Sequence, residues 1–151
     1  MNRLILLIIS GLLTFLCISY GDNYVTYETC KAEVSFVKNK EMLNMVVYQN
    51  LFSGTGTLSI SGVLYERDKV AGYISKTIRF TYEKKGYTYL VISQAISRSP
   101  QMTLSKDQEH KWLPAFFYES GKSLVWTIRP VSKNASLISS ETVPLFLCEK
   151  S

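Results

Sequence analysis

Between residues 30 and 148, apolar and polar residues alternate with a period of two, and this pattern limits the fold more than any other feature. In the clearest segment, Leu58, Ile60 and Leu64 alternate with serine and threonine side chains. Successive side chains of a β-strand point to opposite faces of a sheet, so this spacing predicts strands with one buried and one solvated face. The sequence therefore predicts a mainly β domain.

Short polar breaks, several of them with glycine, separate the alternating segments and predict hairpins. Turns are predicted at residues 38–41, 53–56, 67–69, 84–86 and 133–136. The segment 87–96 is apolar on both faces, and later strands are predicted around 124–128 and 143–148. Seven or eight consecutive antiparallel strands predict a closed or half-closed barrel.

The alternation stops between Arg98 and Gly121. Within this stretch, Ser105 and Gln108 have the spacing of a helix N-cap and its N3 partner. Pro114 is compatible with the first turn of a helix but not with its interior. We therefore expect one short helical insertion that breaks or starts at Pro114.

An apolar segment from Leu4 to Tyr20 precedes the β domain, and it contains neither a charged residue nor proline. A helix of this length reaches roughly 25 Å, slightly less than the hydrocarbon core of about 30 Å. Arg3 before the segment and Asp22 after it predict a cytoplasmic N-terminus and an exported remainder. Cleavage after Gly21 is the alternative to a retained helix.

These features divide the chain into residues 1–21 as a signal anchor or signal peptide, 22–29 as a linker, and 30–151 as a periplasmic β domain. The predicted location is a bacterial inner membrane, spanned once, with the C-terminal domain in the periplasm. Cys30 and Cys148 are the only cysteines of the exported part. In an oxidising compartment we expect them to form a disulfide, and two separate buried thiols are the alternative.

Residues for catalysis are scarce. His110 is the only histidine, and it lies between Glu109 and Lys111 in a polar stretch typical of a solvated loop. No motif for a nucleophile, a phosphate loop, a dinucleotide or a metal is present, so we expect no enzyme activity, no cofactor and no metal. The chain has a net charge of +5, but the basic residues are scattered through turns. This distribution favours ordinary surface charge over direct nucleic-acid binding.

Aromatic residues make up 13% of the chain, more than one small core obviously needs. Trp112 and its neighbours lie in an irregular segment, where we expect them to be hard to bury. Such a surplus suits a partner interface or an apolar ligand site. The predicted partner or ligand surface consists of Tyr87, Tyr89, Val91, Trp112, Phe116, Phe117 and Tyr118.

Three features together resemble the FidL-like family of enterobacterial inner-membrane proteins. They are the N-terminal anchor followed soon by a cysteine, the Leu-Pro-x-Phe-Phe segment with Glu and Gly at 113–121, and the terminal Leu-Phe-Leu-Cys at 145–148. The layout is also similar to that of the Yersinia fibrillar regulators MyfF and PsaF.

This resemblance implies an accessory partner of a ToxR-like, membrane-spanning winged-helix transcription activator, with the two periplasmic domains pairing. It also implies a lipocalin-like barrel that receives a bile salt or a similar amphiphile. A freestanding periplasmic carrier of an apolar small molecule is the alternative.

Overall fold

The alternating segments form eight β-strands in a computed structural model that describes residues 27–140 and 143–150. The strands are β1 (Tyr27–Lys38), β2 (Glu41–Phe52), β3 (Thr55–Glu66), β4 (Lys69–Lys85), β5 (Thr88–Arg98), β6 (Ser123–Pro130), β7 (Ala135–Ser140) and β8 (Val143–Lys150). Each strand pairs antiparallel with its neighbours along the chain, and β8 pairs with β1. The predicted mainly β, closed barrel is confirmed.

Two-residue turns join the first five strands close to the predicted positions. They are residues 39–40, 53–54, 67–68 and 86–87. Both residues of the 53–54 turn have positive φ angles, 40° and 80°, and so do both residues of the 67–68 turn, at 51° and 63°. This is the type I′ geometry, whose twist matches the right-handed twist of the flanking strands.

The helical insertion lies between β5 and β6. It contains the helix α1 (Lys106–Trp112) and a 3₁₀ turn (Ala115–Phe117) that begins directly after Pro114. The Ser105 hydroxyl accepts from the Gln108 backbone N–H at 3.2 Å, and the Gln108 side-chain oxygen accepts from the Ser105 N–H at 2.9 Å. The predicted cap is therefore confirmed as a capping box.

The insertion lies at the same end of the barrel as the β1–β2 and β3–β4 turns. This follows because β1, β3 and β5 run in the same direction, and each of the three connections comes directly after one of these strands. Lys111 Nζ lies 2.6 Å from both carboxylate oxygens of Glu41 at the start of β2, which ties α1 to this end. We call the end formed by these two turns and by residues 99–122 the capped end.

One apolar core fills the barrel. Its most buried side chains are Leu43, Leu58, Leu64, Ile74, Ile78, Phe80, Val91, Phe116, Trp126, Ile138 and Cys148. The predicted disulfide is confirmed: Cys30 and Cys148 are bridged, with their Cα atoms 5.4 Å apart. It joins β1 to β8 toward the end opposite the capped end.

Two predicted boundaries differ from the structure. Residues 27–29, predicted as linker, belong to β1 and pair with residues 50–52 of β2. The predicted turn at 133–136 ends earlier, because Ala135–Ser140 form β7. This strand is rich in serine and has little hydrophobic pattern, but pairing with β6 on one side and β8 on the other holds it extended.

Within residues 27–140 and 143–150, no helix is both long enough and apolar enough to cross a membrane. The predicted anchor and residues 22–26 of the predicted linker lie outside the described part of the chain.

Candidate interaction site

Four of the seven residues predicted to form a surface are core residues. Tyr89, Val91, Phe116 and Phe117 are only 5%, 0%, 1% and 6% exposed. Trp112 and Tyr118 are partly buried, whereas Tyr87 is 61% exposed. The structure brings Trp112, Phe116, Phe117 and Tyr118 together in the insertion, and it places Tyr87 in the β4–β5 turn at the opposite end.

The premise that these aromatic residues exceed the needs of the core is therefore wrong. The ring of Phe116 packs edge-on against Phe80 at 5.9 Å and against Trp126 at 5.5 Å between ring centroids. A closed barrel must be filled along its whole length, and the insertion supplies the aromatic side chains for the capped end.

A lysine lies among these apolar side chains. Lys76 is on the inward face of β4 between Ile74 and Ile78, and its side chain is completely buried. Its Nζ donates to Glu109 Oε1 of α1 at 2.7 Å and to the Phe117 carbonyl at 2.6 Å. These two bonds attach the insertion to the barrel wall.

Glu109 is buried as well, and it holds two cations. Its second carboxylate oxygen accepts from Arg98, which is partly exposed at the end of β5. Burial lowers the pKa of the Lys76 ammonium from its ordinary value of 10.5, and the hydrogen bond and charge of Glu109 oppose this shift. The sequence contained a signal for this cluster, because Lys76 shares the parity of Ile74 and Ile78.

A cleft of about 470 Å³ opens beside the cluster at the capped end. It is lined by Lys76, Ile96, Arg98, Lys106, Glu109, His110, Tyr118, Glu119 and Ser120. The predicted loop histidine is an exposed residue of α1, and its ring stacks on Tyr118 at 4.1 Å between centroids. The lining combines three basic side chains with the carboxylates of Glu109 and Glu119 and with the apolar surface of Ile96, so a ligand bound here would meet charge of both signs beside an apolar wall.

The outer face of the capped end carries exposed apolar side chains. Val37 pairs with Met42, Met42 pairs with Tyr65, and Tyr65 pairs with Val70, so the four side chains form one row across β1 to β4. Val37, Met42 and Val70 are 71%, 37% and 51% exposed, and Tyr65 is partly buried. We call these four residues the apolar row.

A depression of about 510 Å³ runs along part of the apolar row and the adjoining turns. Contiguous exposed apolar surface on a small protein is typical of an interaction site. The sequence analysis missed the row because its members are separated along the chain and become neighbours only through the strand register. The sequence did contain one signal for the row, because each of two turns is flanked on both sides by an apolar residue that points outward, Val37 and Met42 at one turn and Tyr65 and Val70 at the other.

Residues 27–140 and 143–150 contain no group of three or more His, Cys, Asp or Glu side chains arranged to hold a metal ion.

Comparison with known sequences gives one family. No curated protein matches the chain. The family model for the YqeJ C-terminal domain matches residues 27–148, from the first residue of β1 to the second cysteine of the disulfide. This match lends no support to the predicted FidL-like resemblance. Because it covers most of the chain and nearly the whole barrel, the chain belongs to the YqeJ C-terminal domain family.

Proposed function

We propose that the protein is an exported, single-span accessory partner of a ToxR-like, membrane-bound transcription activator, and that its barrel binds and stabilises the exported domain of that activator. The observation that carries this proposal is the apolar row, whose Val37 side chain is 71% exposed. An apolar face of this kind gains free energy when a partner covers it. The resemblance to the FidL-like family is part of this proposal, because it is the source of the expected partner.

Export is supported by two independent features. The charge pattern around the apolar segment from Leu4 to Tyr20 is that of an N-in segment. The Cys30–Cys148 bridge is of the kind that persists in oxidising compartments. A periplasm-dependent reporter enzyme fused after Ser151 is expected to be active, and an inactive fusion alongside a working cytoplasmic reporter would contradict export.

An anionic amphiphile such as a bile salt would regulate the pairing from the cleft at the capped end. Pockets for molecules of this size have volumes of about 300–1,000 Å³. The cleft has about 470 Å³, whereas the apolar cavity between the barrel wall and the insertion has only about 30 Å³. The small cavity also disfavours the alternative of a freestanding carrier with its cargo inside the barrel.

In this mechanism the activator's exported domain exists in an equilibrium between unpaired and paired states. The barrel shifts the equilibrium by binding one state, and an amphiphile favours pairing only if it binds the paired state more tightly than the unpaired state. Arg98 and Lys106 would contact the anionic group of the amphiphile, and Ile96 and Tyr118 its apolar body.

Two matched substitutions test the interface. Val70→Lys places a charge in the apolar row, and Val131→Lys places one at a residue of similar exposure, 57% against 51%, in the β6–β7 loop at the opposite end. We expect Val70→Lys to weaken binding of the full-length protein to the activator's exported domain by about tenfold or more. Val131→Lys should bind within about twofold of the wild type. Equal binding by both variants would exclude the row as the interface.

A further inference from the structure

The end of the barrel opposite the capped end is formed by three connections, which are the β2–β3 turn, the β4–β5 turn and the β6–β7 loop. A backbone hydrogen bond joins each connection to a strand beside it. The bonds run from the Tyr82 N–H to the Gly54 carbonyl at 2.8 Å, from the Ile128 N–H to the Tyr87 carbonyl at 2.9 Å, and from the Lys150 N–H to the Asn134 carbonyl at 2.7 Å. We call the end formed by residues 52–55, 84–88 and 130–134 the basal end.

Each connection of the basal end exposes one large apolar side chain. Phe52, Tyr87 and Val131 are 51%, 61% and 57% exposed. Apolar side chains at the tips of turns gain free energy when they enter an apolar phase. Tyrosine suits the boundary between water and lipid, because its ring is apolar while its hydroxyl stays hydrated.

The charge of the three connections is positive. They contain Lys84, Lys85 and Lys133 and no carboxylate. Among the described residues none of these lysines forms an ion pair, whereas four basic side chains at or beside the capped end are paired with glutamates. Glu28 and Glu83, in the adjoining strands, oppose part of this charge. The basal end therefore presents lysines without a carboxylate in contact, beside exposed apolar side chains.

The chain also reaches the barrel at the basal end. β1 begins at Tyr27, which pairs with Phe52. Six residues separate Tyr27 from Tyr20, the last residue of the apolar segment, and even a fully extended chain of this length spans only roughly 25 Å. With that segment as the single span of the proposed function, the start of β1 is held close to the bilayer.

The capped end lies much farther from the point of attachment. β1 continues from Tyr27 to Lys38, which at about 3.3 Å per residue and a strand tilt of about 40° places the capped end roughly 30 Å beyond the basal end. Salt screens charges beyond about 8–10 Å. When the basal end faces the bilayer, its lysines are within reach of lipid headgroups and the charges of the capped end are not.

We infer that the basal end docks on the anionic surface of the membrane that carries the chain, with Lys84, Lys85 and Lys133 at the headgroups and with Phe52, Tyr87 and Val131 at the lipid boundary. A lysine close to an anionic membrane strengthens binding about fivefold. The inference rests on the proposed function for the membrane anchor. It adds the surface that contacts lipid and an orientation, in which the cleft and the capped end point away from the membrane.

Contact with lipid is measured on the full-length chain in vesicles of phosphatidylcholine and phosphatidylglycerol. The vesicles contain a spin-labelled lipid that quenches fluorescence on contact, and a fluorescent amino acid replaces Tyr87. The matched control replaces Tyr73, which is 47% exposed on β4 near the capped end. We expect at least about threefold stronger quenching at residue 87 than at residue 73. Equal quenching, or stronger quenching at residue 73, would overturn the inference.

The role of charge is tested in the same vesicles by the double variant Lys84→Gln with Lys85→Gln. We expect it to lower the ratio of docked to undocked barrel about tenfold or more, and phosphatidylcholine alone should have a similar effect. Lys38→Gln with Lys40→Gln removes two exposed lysines at the capped end and should leave quenching at residue 87 unchanged. Unchanged quenching in the Lys84 and Lys85 double variant would overturn the inference as well.

Two further measurements separate this inference from the proposed function. A chain that alkali extracts from the vesicles contradicts the retained anchor, and the inference with it. A chain that stays inserted without stronger quenching at residue 87 contradicts the inference alone. Selective quenching at residue 87 in a chain that does not bind the activator's exported domain supports docking on the membrane and removes the proposed partner.

Discussion

Replacing Glu109 by leucine should destabilise the barrel far more than replacing an exposed carboxylate on the same insertion. Glu109 is buried and accepts from Lys76 at 2.7 Å, and the Lys76 side chain has 0% exposure. Without the carboxylate, the only partner left to the Lys76 ammonium among the residues that the structure describes is the Phe117 carbonyl at 2.6 Å. Arg98 is partly exposed, so its guanidinium can turn to solvent at little cost.

Two estimates of the loss agree. Breaking a buried ion pair by removing one partner costs about 3–5 kcal/mol. The loss of stability also has an upper limit, because in the variant Lys76 can become neutral by releasing its proton. For a group with an ordinary pKa of 10.5, deprotonation at about pH 7 costs on the order of 5 kcal/mol. We therefore expect Glu109→Leu to lower the free energy of unfolding by about 3–5 kcal/mol.

Urea unfolding of the oxidised protein measures this loss. The double variant Lys76→Met with Glu109→Leu should recover most of it, since paired apolar residues of similar volume replace a buried ion pair at little cost. Glu119→Leu is the control, because Glu119 and Lys122 are 55% and 48% exposed and their 3.2 Å ion pair is worth less than about 1 kcal/mol. A loss below about 1 kcal/mol for Glu109→Leu, or a double variant no better than the single, would refute the reasoning.

Three further outcomes are expected. Because the folded-state pKa of Lys76 is lowered, the folded protein releases this proton before the unfolded chain does, so wild-type stability should increase relative to Lys76→Met as pH rises toward 10.5 in urea titrations; a constant difference would contradict the lowered pKa. Cys30→Ser should cost about 2–5 kcal/mol in thermal or urea unfolding, and labelling of both Cys30 and Cys148, rather than of Cys17 alone, in the unfolded, unreduced wild type would contradict the bridge. Phe116→Ala should cost about 3–5 kcal/mol, whereas exposed Tyr87→Ala should cost little; similar values by calorimetry would contradict the packing of Phe116.

Much of the barrel wall could be predicted because its determinants are local. The alternation around Leu58 and Ile60 reports which face of a strand is buried, and two-residue turns such as Ser53 and Gly54 restrict the chain to hairpins. The capping box of Ser105 likewise depends on residues three positions apart. β7 was missed because its serines carry little hydrophobic signal and its extended backbone depends on pairing with its neighbours.

The candidate sites could not be predicted in the same way. Phe116 is buried because it fills space at the capped end of a closed barrel. The number of aromatic residues in the sequence does not reveal how much space the barrel has to be filled. The apolar row depends on register, because Val37 and Val70 become part of one surface only when four strands are aligned.

The sequence by itself determined the period of the strands, the positions of most turns, the capped helix and the cysteine pair, since each follows from the conformational preferences and chemistry of a few residues. The tertiary structure alone decided which side chains meet across the barrel. Lys76 and Glu109 lie 33 positions apart, and their pairing depends on the insertion folding back over the first half of β4. The pairing of residues 30–31 of β1 with residues 149–150 of β8 is likewise fixed only when the barrel closes, because the first and last strands meet only then.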